Sequence, residues 1–145
     1  MTELEPGTPD DSGAQLDVRT VLDASAVLAL LLGEPGAETV ADAIADGAAM
    51  SSVTHAEVGT VLLRNGRDVN VLARVAEQVL VEPFSVADAH AAATLVEAAR
   101  FGLSLGDRAC LALAMRFHAT ALTADSTWVQ LDVGITITLI RRAEP

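Results

Sequence analysis

From Arg19 onward, short apolar runs alternate with segments of helical periodicity, and this alternation narrows the choice of fold more than any other feature of the chain. Val21-Leu22-Asp23 reads as a buried strand ending in an acid, followed by a helix over Ala24–Leu32 that Gly33 closes. A short helix over Glu38–Ala45 leads to a second strand, Ala48–Ser51. Helices over Thr54–Arg64, closed by Asn65-Gly66, and over Val69–Val79 lead to a third strand, Leu80–Pro83. A long Ala-rich helix over Val86–Arg100, ended by Gly102, and another over Asp107–Phe117 precede a fourth strand, Ala119–Leu122. Ile135–Ile140 reads as the fifth. Strands separated by one or two helices need crossover connections. The expected fold is therefore α/β: a three-layer α/β/α domain with a mostly parallel sheet of about five strands and helices on both faces.

The 145 residues amount to one domain. Hydrophobic residues make up 51%, which excludes disorder for most of the chain, but 27 of them are Ala, so the core is shallow and helix-prone. The longest uninterrupted apolar run, Ala26 to Leu32, falls far short of the ~20 residues of a membrane-spanning helix. Residues 1–18 form a polar, Pro/Gly-rich, aperiodic leader, expected to be disordered, and its acids exclude the basic start of a signal peptide. Residues 19–142 make up the folded domain.

The net charge is −11, and all nine bases are Arg. Absence of Lys excludes a P-loop, a Schiff-base enzyme, and phosphotransfer sites that pair Lys with Asp. A single cysteine, Cys110, excludes internal disulfides and Cys-based zinc cages, and suits a cytoplasmic protein. Five acids lie in the leader, leaving 15 acids against nine Arg in the remainder.

Four of those acids fall where open α/β sheets carry function, at the carboxyl ends of strands. Asp23 closes the first strand and Asp125 follows the fourth; Glu57 and Asp107 lie in the first turns of the helices around Thr54 and Ser104. Each has an ordinary explanation. Asp23 and Asp125 could be N-caps, and Thr54-His-Ala-Glu57 and Ser104-Leu-Gly-Asp107 both fit a capping box. Facing favours a site: Asp107 shares its helical face with Cys110, Leu111 and Ala114, and Glu57 shares one with Val61, so both point toward the sheet edge. Like charges gathered there raise one another's pKa, and a divalent cation removes the repulsion. Oxygen donors without His or Cys suit Mg2+ or Mn2+.

The chain resembles the PIN-domain ribonucleases, and among them the VapC-type toxins of toxin–antitoxin pairs. The resemblance covers roughly residues 19–142 and rests on four motifs in order: Val21-Leu22-Asp23-Ala24-Ser25, Ser51-Ser52-Val53-Thr54-His55-Ala56-Glu57-Val58, Ser104-Leu105-Gly106-Asp107-Arg108-Ala109-Cys110-Leu111-Ala112, and Leu122-Thr123-Ala124-Asp125-Ser126-Thr127-Trp128. It implies an acidic catalytic cluster of Asp23, Glu57, Asp107 and Asp125, with Asp23 and Asp107 the foremost metal ligands and Ser25 and Thr123 as supporting hydroxyls. Ala24 departs from the pattern, since many relatives carry Ser or Thr there, and the acidic leader lies outside it. The resemblance further implies Mg2+- or Mn2+-dependent cleavage of RNA to 5′-phosphate and 3′-hydroxyl ends. It also implies a cognate antitoxin as partner and a homodimer. The abundance of small apolar surface on the helices at Thr54–Arg64 and Val69–Val79 points to a dimer independently.

Other residues are read more plainly. His55, His90 and His118 show no metal spacing, Cys110 reads as a core thiol, and Trp128 as packing over the sheet edge. Arg108, next to Asp107 but about 100° round the helix, could meet either a substrate phosphate or a surface acid. Two alternatives stay open on the residues alone: a non-catalytic metal-binding or protein-interaction module, and a metal phosphohydrolase acting on a small ester.

Overall fold

The computed structural model describes residues 17–95 and 102–142. Five parallel strands, β1 (Thr20–Leu22), β2 (Ala48–Ser51), β3 (Leu80–Glu82), β4 (Thr120–Thr123) and β5 (Ile137–Leu139), form one sheet in the order β3-β2-β1-β4-β5. The strands are joined through α1 (Ala24–Leu32), α2 (Ala37–Gly47), α3 (Ser52–Arg64), α4 (Val71–Ala76), α5 (Val86–Thr94) and α6 (Leu105–Phe117), with a 3-10 helix at Ser126–Gln130 before β5.

The three central strands, β2, β1 and β4, are covered on both faces, because alternate side chains enter different halves of the core. Leu22, Ala48, Met50 and Leu122 pack with Ala26 and Val27 of α1, Val40 of α2, and Val58 and Leu62 of α3. Val21, Ala49 and Ala121 pack on the other side with Cys110, Leu111, Leu113 and Ala114 of α6 and with Trp128. The three-layer architecture expected from the sequence is present, and Trp128 is fully buried.

Chain direction across the sheet reverses between β1 and β4. From β1 the chain runs outward through β2 to β3, then returns to place β4 on the other side of β1. A reversal of this kind opens a crevice at the carboxyl ends of the two central strands. Asp23 extends β1 into it, its N–H donating to the carbonyl of Leu122 at 3.0 Å.

Local signals moved several boundaries. Helix α3 starts at Ser52 rather than Thr54, because the Ser51 hydroxyl accepts the N–H of Val53 and begins the helix directly from β2. The Thr54–Glu57 capping box therefore does not form, and the Thr54 hydroxyl is buried without a partner. Helix α4 spans only Val71–Ala76, since Asn65 to Asn70 turn back on themselves through the Asn70 N–H to Asp68 bond. The described part of the Ala-rich helix ends at Thr94 with Leu95 as its C-cap; residues 96–100 of the expected Val86–Arg100 span, like residues 1–16 of the leader, lie outside the described residues. No described helix is long and apolar enough by itself to cross a membrane.

Two further features organise the helical layers. Arg116 of α6 donates from Nε to Oδ1 of Asp88 at 3.0 Å and from Nη2 to Oε1 of Glu82 at 3.0 Å, tying α6 to α5 and to the end of β3. On the opposite face, Leu30, Leu31, Ile44, Leu62, Val71 and Val75 line a groove of about 580 Å³ between α1, α2, α3 and α4, with Arg67 and Arg74 also in its wall.

Candidate metal centre

Asp23 occupies the N-cap position of α1 but makes no capping bond. Its Oδ2 instead accepts the hydroxyl protons of Ser25 at 2.7 Å and Thr123 at 2.8 Å. Ser25 in turn accepts the N–H of Ala124 at 2.8 Å, and Thr123 accepts the N–H of Asp125 at 3.0 Å. One carboxylate oxygen is thus fixed by two hydroxyls that are themselves fixed by the β4 turn. Asp23 is 4% exposed, and burial raises its pKa against the lowering effect of both hydroxyls, with the charge of Asp107 raising it further.

Glu57 reaches the same crevice from α3 and is half-buried. Its pKa is raised first by burial and then by the charges of Asp23 and Asp107. Asp107 enters from α6, in the opposite helical layer. It forms the capping box read from the sequence, accepting the Ser104 N–H at 3.0 Å while its own N–H donates to the Ser104 hydroxyl at 3.1 Å. Beneath them, the Cys110 thiol is pushed well above its ordinary pKa by burial and by all three acids, so this inert thiol marks the underside of the cluster.

Asp125 differs from the other three. It is exposed, and its Oδ1 accepts both the N–H of Thr127 at 3.0 Å and the Thr127 hydroxyl at 2.7 Å, which makes it the cap of the 3-10 helix. It adjoins the cluster through Thr123. Arg108 donates from Nη1 to the carbonyl of Ala92 at 3.0 Å, and its Nε is buried without a partner, so the guanidinium braces α6 against α5.

The donor set fits a hard divalent cation. Three elements supply its carboxylates: the charges of Asp23 and Asp107 act on Glu57 and that of Asp107 on Asp23, while the Cys110 sulfur nearby is fully buried. Among the described residues, however, no three acid, His or Cys side chains close on a single point.

Among curated protein sequences none matches this chain. Solved structures share its fold. It is similar to VapBC of Salmonella typhimurium in a DNA-bound crystal structure, at 16% identity and a TM-score of 0.69 over 86% of this chain and 99% of that one. VapBC2 of Rickettsia felis, bound to a promoter DNA fragment, aligns at 13% identity and a TM-score of 0.67 over 84% and 98%. FitAcB of Neisseria gonorrhoeae aligns at 22% identity and a TM-score of 0.57 over 81% and 95%. The PIN domain family model matches residues 20–134, a span that holds all four acids and both supporting hydroxyls. The chain belongs to the PIN domain family.

Proposed function

We propose that this chain is a divalent-cation-dependent endoribonuclease, the VapC-like toxin of a toxin–antitoxin pair. The observation that carries the reading is Asp23: it sits where a helix cap belongs, declines the cap, and is held by Ser25 and Thr123 as a buried carboxyl group beside two other acids. A buried, unpaired carboxylate is costly, and a cation offsets that cost.

Asp23, Glu57 and Asp107 would hold Mg2+ or Mn2+, with Asp125 at the rim of the crevice as the fourth acid. When bound, the ion supplies charge neutralisation at a phosphodiester and a coordinated water of lowered pKa. The chain's own part is positional. Ser25 and Thr123 keep Oδ2 of Asp23 occupied, which fixes the carboxylate plane. Asp107 gives up one hydrogen bond, that to the Ser104 amide, to turn inward, and Ser104 still caps α6 through its own hydroxyl. The excess of acids over Arg opposes RNA binding, which draws on cationic contacts to phosphate, so affinity for RNA must depend on the ion.

Solved relatives include a toxin–antitoxin complex from Klebsiella pneumoniae and a member of the VapBC family of toxin–antitoxin systems from Mycobacterium tuberculosis. This supports a cognate antitoxin for the present chain, and the apolar groove walled by α1 to α4 offers a surface for one. A homodimer is the second partner proposed, with Leu63 of α3, 62% exposed, among the apolar side chains available to it. The decisive test is incubation of the purified protein with structured RNA at millimolar Mg2+, with and without chelator, alongside Asp23→Asn. Chelator-sensitive cleavage lost in the variant supports the proposal; chelator-resistant cleavage, or full activity in Asp23→Asn, refutes it. Sedimentation at tens of micromolar tests the dimer, and a monomer there removes that part.

A further inference from the structure

Gly106 lies in the first turn of α6, immediately before Asp107, and is buried. Its backbone is not in the left-handed region, so no turn requires glycine there. Glycine is also the poorest helix residue after proline, which makes its presence a cost that needs a reason. The reason is visible across the crevice. A Cβ built on Gly106 would fall on the Glu57 carboxylate, with Cδ and both oxygens closer than the 3.0 Å that real Cβ atoms essentially never breach. The other buried helical glycine, Gly59, is different: the nearest atom to a Cβ built there is the end of the Leu72 side chain at 3.3 Å, a close packing of α3 on α4 that a few tenths of an ångström would relieve.

We propose that Gly106 is a positioning residue, its bare Cα forming the floor of a slot that holds the Glu57 carboxylate against α6 beside Asp107. This rests on the metal-site reading of the acids given above. Glu57 comes from α3, in the helical layer opposite α6, and must cross the sheet edge to reach Asp107. A side chain at position 106 would occupy the only place its carboxylate now fills. Glu57 ends in a flexible chain, so it would swing aside and leave the fold intact. The cluster would then lose one of its three coupled carboxylates without any acid having been mutated.

The test uses four full-length proteins: wild type, Gly106→Ala, Glu57→Ala and the double variant. Mn2+ affinity is measured by calorimetry, and metal-free melting by circular dichroism. Gly106→Ala should weaken Mn2+ binding by about 10–100-fold, the loss typical when a residue supporting a ligand is removed. Glu57→Ala should lose a similar amount, and the double variant no more than either. In the melts, Gly106→Ala should raise Tm more in the Glu57→Ala background than in wild type. The carboxylate rests in the slot because that is its lowest-energy place, so evicting it always costs something. Wild-type affinity in Gly106→Ala, or losses that multiply in the double variant, overturns the slot while leaving the metal site standing. Absence of Mn2+ binding by wild type overturns the metal-site reading instead. The melts then decide the slot on their own, and an equal change in Tm in both backgrounds overturns it.

Discussion

Replacing Thr123 by Val keeps the shape of a fully buried side chain and removes only its hydroxyl. Two bonds disappear. Thr123 no longer donates to Oδ2 of Asp23 at 2.8 Å, and the Asp125 N–H loses its acceptor at 3.0 Å. A hydrogen bond to a charged group contributes about 1.5–3 kcal/mol and an ordinary one about 0.5–1.5 kcal/mol. The expected loss with Asp23 ionised is therefore about 2–4.5 kcal/mol, or roughly 4–18 °C in Tm at about 2–4 °C per kcal/mol for a chain approaching 150 residues. The loss should also depend on pH, with a definite sign. The Thr123 bond lowers the pKa of Asp23, so in the variant that pKa, already raised by burial, rises further. A raised carboxylate pKa in the folded state costs stability as pH climbs from the unfolded value through the folded one. Wild type and variant should thus lie closest near pH 4, about the unfolded carboxylate value, and diverge as pH rises above it. Urea denaturation at about pH 4 and about pH 8, without metal, measures this directly. A destabilisation below ~0.5 kcal/mol, or one identical at the two pH values, would refute the claim that Thr123 works by holding an ionised Asp23.

Asp107→Asn retains an oxygen that can accept the Ser104 N–H and removes a charge that raises the pKa of both Asp23 and Glu57. Without metal it should melt no lower than wild type, while RNA cleavage and Mn2+ binding are lost. Because burial raises the Asp23 and Glu57 pKa values, stability of the metal-free protein should fall as pH rises above the unfolded carboxylate range of about 4, and millimolar Mg2+ should flatten that slope in a calorimetric series. Arg116→Met strips the buried Asp88 of its cation and should cost about 1.5–3 kcal/mol, with Asp88→Asn recovering part of it in chemical denaturation. Deleting residues 2–16 should leave Tm and Mn2+ affinity unchanged, since the segment has no apolar periodicity to bury; a fall of several degrees would show that it docks.

The strand and helix alternation was legible because both periods are written in short apolar runs that the sheet buries on two faces. The acid after β1 was legible as well, but its environment was not. Ser25 lies two residues from Asp23 and Thr123 a hundred, and only the pairing of β1 with β4 makes them partners. The capping explanation divided unevenly among the four acids. It holds for Asp107 and Asp125, fails for Asp23, and lapses for Glu57 because Ser51, not Thr54, starts the helix. Local sequence could not separate these cases, since each acid sits one to three residues from a plausible helix start. Arg116 was invisible for a different reason: its partners Asp88 and Glu82 are 28 and 34 residues away, and nothing in its own segment marks it as paired.

The late insertion of β4 beside β1 bears on when activity can arise during synthesis. Domains form from the amino-terminal end as the chain emerges, at about 5–20 residues per second. The strands β1, β2 and β3 are contiguous in both sequence and sheet, so they can assemble first, yet that assembly leaves the edge of β1 open. At that stage Asp23 has Ser25 alone, Glu57 lacks the α6 surface it rests on, and Asp107 has not been placed. A nascent chain that stops before Thr123 therefore carries three of the four acids but lacks the β1–β4 pairing and the Thr123 hydroxyl that hold Asp23. The four acids can therefore come together only once the last third of the polypeptide has emerged, several seconds after β3 at that rate.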